Sequence, residues 1–155
     1  MNDTNVFILK STRFGEMEVS KDSIIDIPQG LIGFPEAKRF VMLDHTPPFS
    51  WLHSVDDPNL AFVVVDGSFI IEKFDVRIPY GAEPIDLREN EDFAILSVVT
   101  VRGGFVGTTA NTKAPVFVNI RNRKGVQIIF DNPELSTRYS LMTPEESEAK
   151  KEEKK

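Results

Sequence analysis

The sequence predicts a mainly β chain: a single-domain antiparallel small β-barrel or sandwich with short helical turns and a flexible, charged C-terminal tail. Three observations predict it. The apolar runs are strand-sized, they either alternate with a period of two or are apolar on both faces, and prolines and glycines interrupt them about every ten residues. Punctuation this dense leaves little room for the crossover helices of a βαβ plan.

Residues 6–9 form the first short apolar run, and residues 24–27 form a second that stops at Pro28-Gln29-Gly30, a turn-forming cluster. Residues 40–43 make the next strand, closed by Asp44 and the Pro47-Pro48 pair. Over residues 49–55 the alternation sets Phe49, Trp51, His53 and Val55 on one face. Asp56-Asp57-Pro58-Asn59 then reads as a turn, because Asp and Asn bond nearby backbone and Pro fixes φ. Residues 60–65 and 93–101 are apolar on both faces and are expected to be central strands covered on each side. Arg102-Gly103-Gly104 predicts a hairpin turn, residues 116–120 a strand, and residues 122–125 a turn into a last strand over 126–130. Helical turns are expected within 87–93, from Asn132 with Pro133 in the first helical position, and from Thr143 with Pro144. From Thr143 onward only Ala149 is apolar, so the expected division is a β domain over 1–142 and a disordered tail over 143–155.

A chain of 155 residues with 41% apolar side chains can enclose one core without disulfides or a structural metal. It has no cysteine, which excludes thiol nucleophiles, zinc ribbons and dithiol redox motifs and agrees with a reducing compartment. No apolar run approaches the roughly 18 residues that a membrane-spanning helix needs, and Met1-Asn2-Asp3-Thr4-Asn5 has neither the basic nor the apolar region of a signal peptide. A soluble, cytoplasmic protein with no membrane contact is expected. The net charge of −6 is unevenly spread: residues 40–92 carry 3 basic and 11 acidic side chains, whereas 93–130 carry 5 basic and no acidic ones. Two electrostatically different surfaces follow, unless the strands interleave them.

Little in the chain resembles an active site, and no cofactor is expected. The two histidines, His45 and His53, have no partner at a metal-ligand spacing. Ser54 next to His53 cannot form a nucleophile–base pair with it along one strand, because neighbours point to opposite faces. Packing on the Trp51 face explains His53 better than a hydrolytic pocket built on Trp51 and His53. The glycine-rich stretch from Gly103 to Thr109 lacks the lysine of a phosphate loop and reads as a bulged hairpin. Lys113, Arg121, Arg123 and Lys124, with Phe105 and Phe117 as stacking faces, would suit an OB-like module for single-stranded nucleic acid, and that is the alternative reading. The overall acidity opposes it.

A series of short motifs points elsewhere. Phe14-Gly15, Pro28 to Phe34, Lys38-Arg39-Phe40, Trp51 to Pro58, Leu60-Ala61-Phe62, Thr109-Ala110-Asn111, Ala114-Pro115-Val116, Val118-Asn119 and Gly125-Val126-Gln127, in this order, closely resemble the flagellar assembly factor FliW family. His53 and Thr112 depart from the Gln and Leu more usual there. The resemblance implies a non-enzymatic, β-barrel-like protein with two protein partners, flagellin and the translational regulator CsrA. When export drains the flagellin pool, the freed protein binds CsrA away from its principal RNA groove and lifts the block on flagellin translation. On this basis the acidic loops, with Asp56 and Asp57 in one turn and Glu83, Asp86, Glu89, Glu91 and Asp92 in a second, are the expected contacts to CsrA. Ile32, Phe34 and Phe69, large apolar residues next to Gly or Pro or near a turn, are the expected contacts to an amphipathic helix of flagellin. Asn111 and Asn119 are expected to satisfy backbone groups in bends. The free protein is expected to be a monomer that does not bind nucleic acid directly.

Overall fold

The computed structural model describes residues 5–74, 82–86, 93–101 and 107–141. Its N-terminal residues form a hairpin of their own, β1 (Val6–Ser11) with β2 (Gly15–Ser20), in register from Val6 opposite Ser20 to Ser11 opposite Gly15. The Ser11 hydroxyl accepts the amides of Arg13 and Phe14, and Gly15 takes φ +75° to close the three-residue loop. Sequence reading misses β2 because Gly-Glu-Met-Glu-Val-Ser is too polar to register as a strand.

The body is a ring of seven strands: β3 (Ile25–Asp26), β4 (Arg39–Asp44), β5 (Phe49–Ser54), β6 (Ala61–Asp66), β7 (Phe93–Thr100), β9 (Val116–Asn119) and β10 (Lys124–Gln127). Two further short strands, β8 (Thr109–Ala110) and β11 (Tyr139–Ser140), extend the sheet from β7. A ring whose neighbours all run antiparallel needs an even number of strands, so seven force one parallel pair. That pair is β3 with β10, joined at Asp26 and Lys124, and it is the one parallel pairing in an otherwise antiparallel ring.

Alternation builds the core. Phe40, Met42, Leu52, Phe62, Val64, Ala94, Leu96, Val98, Val116 and Val118 share one apolar cluster and face one another across strand pairs, so they fill the barrel. The opposite faces are covered in turn. Ile95, Phe117, Val126 and Ile128 pack under the α-helix α1 (Phe69–Phe74), Ile85 and Leu135, while Val65 and Val99 pack with Ala110. Strands β6 and β7 are therefore covered on both sides, as their continuous apolar runs predicted. Phe49, Trp51 and His53 share the outer face of β5, where the ring of Phe14 meets Trp51 edge-on at 5.5 Å and Leu9 is fully buried.

Several local expectations are corrected. The helix α1 is an element not anticipated from the sequence; Asp66 accepts the Ser68 amide, the Gly67 amide bonds the Ile95 carbonyl, and a Cβ at Gly67 would lie 2.9 Å from the Ile95 side chain. Asn132 caps a turn, accepting the Glu134 amide, but no helix follows. The strand expected over 126–130 ends at Gln127, although Ile128 and Phe130 still donate to Pro115 and Lys113 carbonyls. The hairpin turn at 102–104, helical residues 87–92 and the tail from Thr143 lie outside the described residues.

Candidate functional site

Strand direction gives the barrel two rims. β5 ends and β4 begins at the first rim, which carries the 28–37 loop and the 56–59 turn; β6 and β9 end at the second, which carries α1 and the 120–123 turn.

At the first rim, Leu31 and Phe34 exchange two backbone hydrogen bonds around Ile32 and Gly33, and the ring of Phe34 stands edge-on to Phe62 at 5.2 Å. Ile32 is 56% exposed and Phe34 42%. Phe34, Pro35, Ala37 and Leu60, with Glu36, Asp56 and Asp57, line a groove of about 480 Å³. The 56–59 turn is held by the Ser54 hydroxyl, which accepts the amides of Asp56 and Asp57, and by the Asp57 carboxylate, which accepts the Asn59 amide.

Asp56 meets Arg39 at the start of β4 in a two-pronged ion pair of 2.5 and 3.2 Å. The Arg39 hydrogen bond, aided by its charge, holds the Asp56 carboxyl below its usual range, and the same bond raises Arg39. Because the folded value of Asp56 is depressed, its contribution is complete above the ordinary carboxylate range near 3.8 and is lost as pH falls through the lowered value. Arg39 stays charged throughout. Both side chains are about half exposed, so a double-mutant cycle with Arg39→Gln and Asp56→Asn should give roughly 0.2–1 kcal/mol at neutral pH and progressively less as pH falls below the ordinary carboxylate range. A coupling that survives acid would contradict this assignment.

The second rim holds the other acidic turn. Glu83 begins a single 3-10 turn that ends at Asp86, which takes φ +49°. Asn119, fully buried, donates to the Ile85 and Asp86 carbonyls and accepts the Arg121 amide, and Arg121 returns to the Asp86 carboxylate at 3.1 Å. The two acidic loops expected to contact one partner thus stand on different rims, Asp56 and Asp57 on one and Glu83 and Asp86 on the other. Glu89, Glu91 and Asp92 lie outside the described residues. The apolar set is split too. Ile32 and Phe34 stand on the first rim, while Phe69, partly buried in α1 on the second, packs 5.7 Å from the Tyr139 ring.

The competing chemistries find structural uses for their residues. His53 is buried, its Nδ1 donating to the Ser54 carbonyl and its Nε2 accepting from the Ser11 hydroxyl, so it ties the hairpin to the barrel. The Ser54 hydroxyl caps the turn and does not face His53. Phe117 is 1% exposed, which corrects its role as a stacking face, and Phe105 lies outside the described residues. Arg121 bonds Asp86, and Arg123 donates to the Ser23 and Ile24 carbonyls. The basic stretch is thus partly engaged by the acidic one, and the charge asymmetry of the sequence is interleaved in space. Among the described residues no cluster of His, Cys, Asp or Glu could hold a metal ion, and no helix is long and apolar enough to cross a membrane. Asn111 accepts the amides of Lys113 and Ala114, as expected of a bend residue.

Sequence reading missed Arg39, Leu60 and Gln127 as parts of the first rim. Arg39 and Gln127 stood inside motifs already noticed, Lys38-Arg39-Phe40 and Gly125-Val126-Gln127, but nothing in the linear order says what they touch.

Comparison with known proteins gives consistent matches. The family model described as FliW protein matches residues 8–141. The chain is 35% identical over 147 residues to a flagellar assembly factor FliW of Natranaerobius thermophilus, covering 92% of this chain and 97% of that one. It is 32% identical over 136 residues to a flagellar assembly factor FliW of Caldicellulosiruptor bescii, covering 86% and 90%. A crystal structure of the flagellar assembly factor FliW superposes with a TM-score of 0.77 at 29% identity, over 88% of this chain and 98% of that one.

Proposed function

This chain belongs to the FliW family, and from that premise we propose that it is a non-enzymatic, cytoplasmic partner switch. It binds flagellin; when export leaves it free it binds the translational regulator CsrA, opposes the hold of CsrA on RNA and relieves repression of flagellin translation. The observation that carries this reading is the first-rim groove, where an apolar wall and carboxylates stand side by side. Ile32 and Phe34 offer an apolar helix of flagellin the desolvation that drives docking. Asp57, with Glu36 beside it, offers the basic surface of an RNA-binding protein an opposite charge and offers its RNA phosphates a like one. Glu83 and Asp86 on the second rim are further contacts to CsrA, and Glu89, Glu91 and Asp92 are assigned to the same partner. Phe69 is a flagellin contact only for a partner that reaches the second rim. The free protein acts as a monomer and does not bind nucleic acid itself.

Calorimetric titration with purified CsrA, repeated on protein saturated with flagellin, tests the switch. Tight CsrA binding that flagellin abolishes is expected, with no heat from a short hairpin RNA carrying GGA in its loop. Silence with CsrA at every temperature and salt, alongside direct RNA binding, would overturn it. Asp57→Lys should weaken CsrA about five- to tenfold at low ionic strength, with the difference shrinking as salt is raised. An unchanged affinity would remove Asp57 from the CsrA surface.

A further inference from the structure

Two of the sequence motifs, Pro28 to Phe34 and Gly125-Val126-Gln127, meet in space. Gln127 sits at the end of β10, and its Oε1 accepts the Ile32 amide at 2.7 Å while its Nε2 donates to the Ala114 carbonyl at 2.9 Å. The loop it holds is fastened elsewhere as well. The amides of Gly30, Leu31, Phe34 and Ala37 all donate within the loop or to its base, and Leu31 is buried. Gly30 takes φ +68°, and a Cβ there would lie 2.5 Å from the Pro35 carbonyl oxygen; Gly33 takes φ +86°. Ile32 and Phe34 are thus large apolar side chains held exposed on a backbone with little freedom left. Such exposure adds nothing to folding, but a preordered apolar edge binds a partner without an ordering penalty.

The surroundings narrow the partner. With the amides of Gly30, Leu31, Ile32, Phe34 and Ala37 already engaged, the edge offers no continuous ladder to an added strand, so recognition runs through side chains, as when a helix lies in a groove. The groove floor of Phe34, Pro35, Ala37 and Leu60 takes an apolar residue. At its rim Asp56 is neutralised by Arg39, whereas Asp57 and Glu36 meet no cation among the described residues. We propose that Gln127 locks the 31–34 loop as a preformed docking edge for an amphipathic helix that carries an apolar residue one turn from a lysine or arginine. The apolar residue packs beside Phe34 and the cation reaches Asp57 or Glu36. This rests on the partner-binding reading above, and Gln127 is a positioning residue that acts through Ile32.

The test uses the full chain and purified flagellin. Ile32→Asp, at an exposed position, should weaken flagellin binding about thirtyfold, and Gln127→Leu about tenfold, with the rest of the fold retained. Gln127→Leu should also speed hydrogen exchange at the Ile32 amide selectively, and in an Ile32→Asp background it should weaken binding no further, because the two act as one unit. Joint reversal of Asp57 and Glu36 to lysine should weaken binding about tenfold at low salt. If wild-type protein binds flagellin and all these variants bind it equally well, the docking edge is overturned while the partner reading stands. If wild-type protein binds no flagellin at all, the partner reading falls and takes the docking edge with it.

Discussion

Replacing Phe40 with alanine should lower the unfolding free energy by about 3–5 kcal/mol, read from denaturant titration followed through Trp51, the sole tryptophan. Phe40 is completely buried, and its ring lies 6.3 Å from Phe62, which in turn supports Phe34 at 5.2 Å. Truncation removes apolar contacts and leaves a cavity in a barrel whose closed strands cannot collapse to fill it. For a chain of this size the midpoint of thermal unfolding should fall by roughly 10 °C or more. Since Phe40, Phe62 and Phe34 form a continuous aromatic column from the core to the rim, the variant should also bind flagellin more weakly at temperatures where it is still folded. A loss below about 1 kcal/mol would mean that the barrel centre is not where stability resides.

Asn119→Leu should cost about 2–3 kcal/mol and loosen the second rim selectively. The side chain is buried at the end of β9 and engages three backbone groups, the Ile85 and Asp86 carbonyls and the Arg121 amide. Leucine has similar bulk and answers none of them. The two carbonyls retain other donors, Asn122 for Ile85 and Arg121 for Asp86, which is why the expected loss stops short of three full hydrogen bonds. Hydrogen exchange should quicken around residues 82–86 before it does in the first rim. Equal protection of both regions in the variant would refute a local role for Asn119.

How far these features could be read from the sequence follows from the distance over which each is determined. The central strands announce themselves, because continuous apolar runs such as those in β6 and β7 have only one comfortable environment. The 56–59 turn is equally plain, its Asp and Pro chemistry being local. By contrast β3 is only two residues long, and nothing near Ile25 indicates that β10 will close the ring upon it. The short helix α1 carries strand-like residues and owes its form to Gly67 lying against β7. The candidate site divides in the same way. Ile32, Phe34, Asp56 and Asp57 stand out by type and neighbourhood, but the bond that orders Ile32 spans 95 residues, and Arg39 reaches Asp56 only because β4 and β5 lie side by side. Phe34 and Asp57 were assigned to different partners on their chemistry, and only the fold puts them on the walls of one groove.

The odd strand count has a mechanical consequence. Six joints of the ring are antiparallel pairings, but the seventh, between β3 and β10, is a single register at Asp26 and Lys124. There the Asp26 amide donates to the Arg123 carbonyl, and the guanidinium of Arg123 reaches over to the Ser23 and Ile24 carbonyls. Arg123 itself sits at φ +56°, so its backbone is bent to bring both contacts to bear. The cylinder is thus a hoop fastened by a clasp: five sides are woven over four or more registers, β3 joins β4 over two, and the last is buckled by one arginine, where the hoop can be undone without unpicking any of the long weaves.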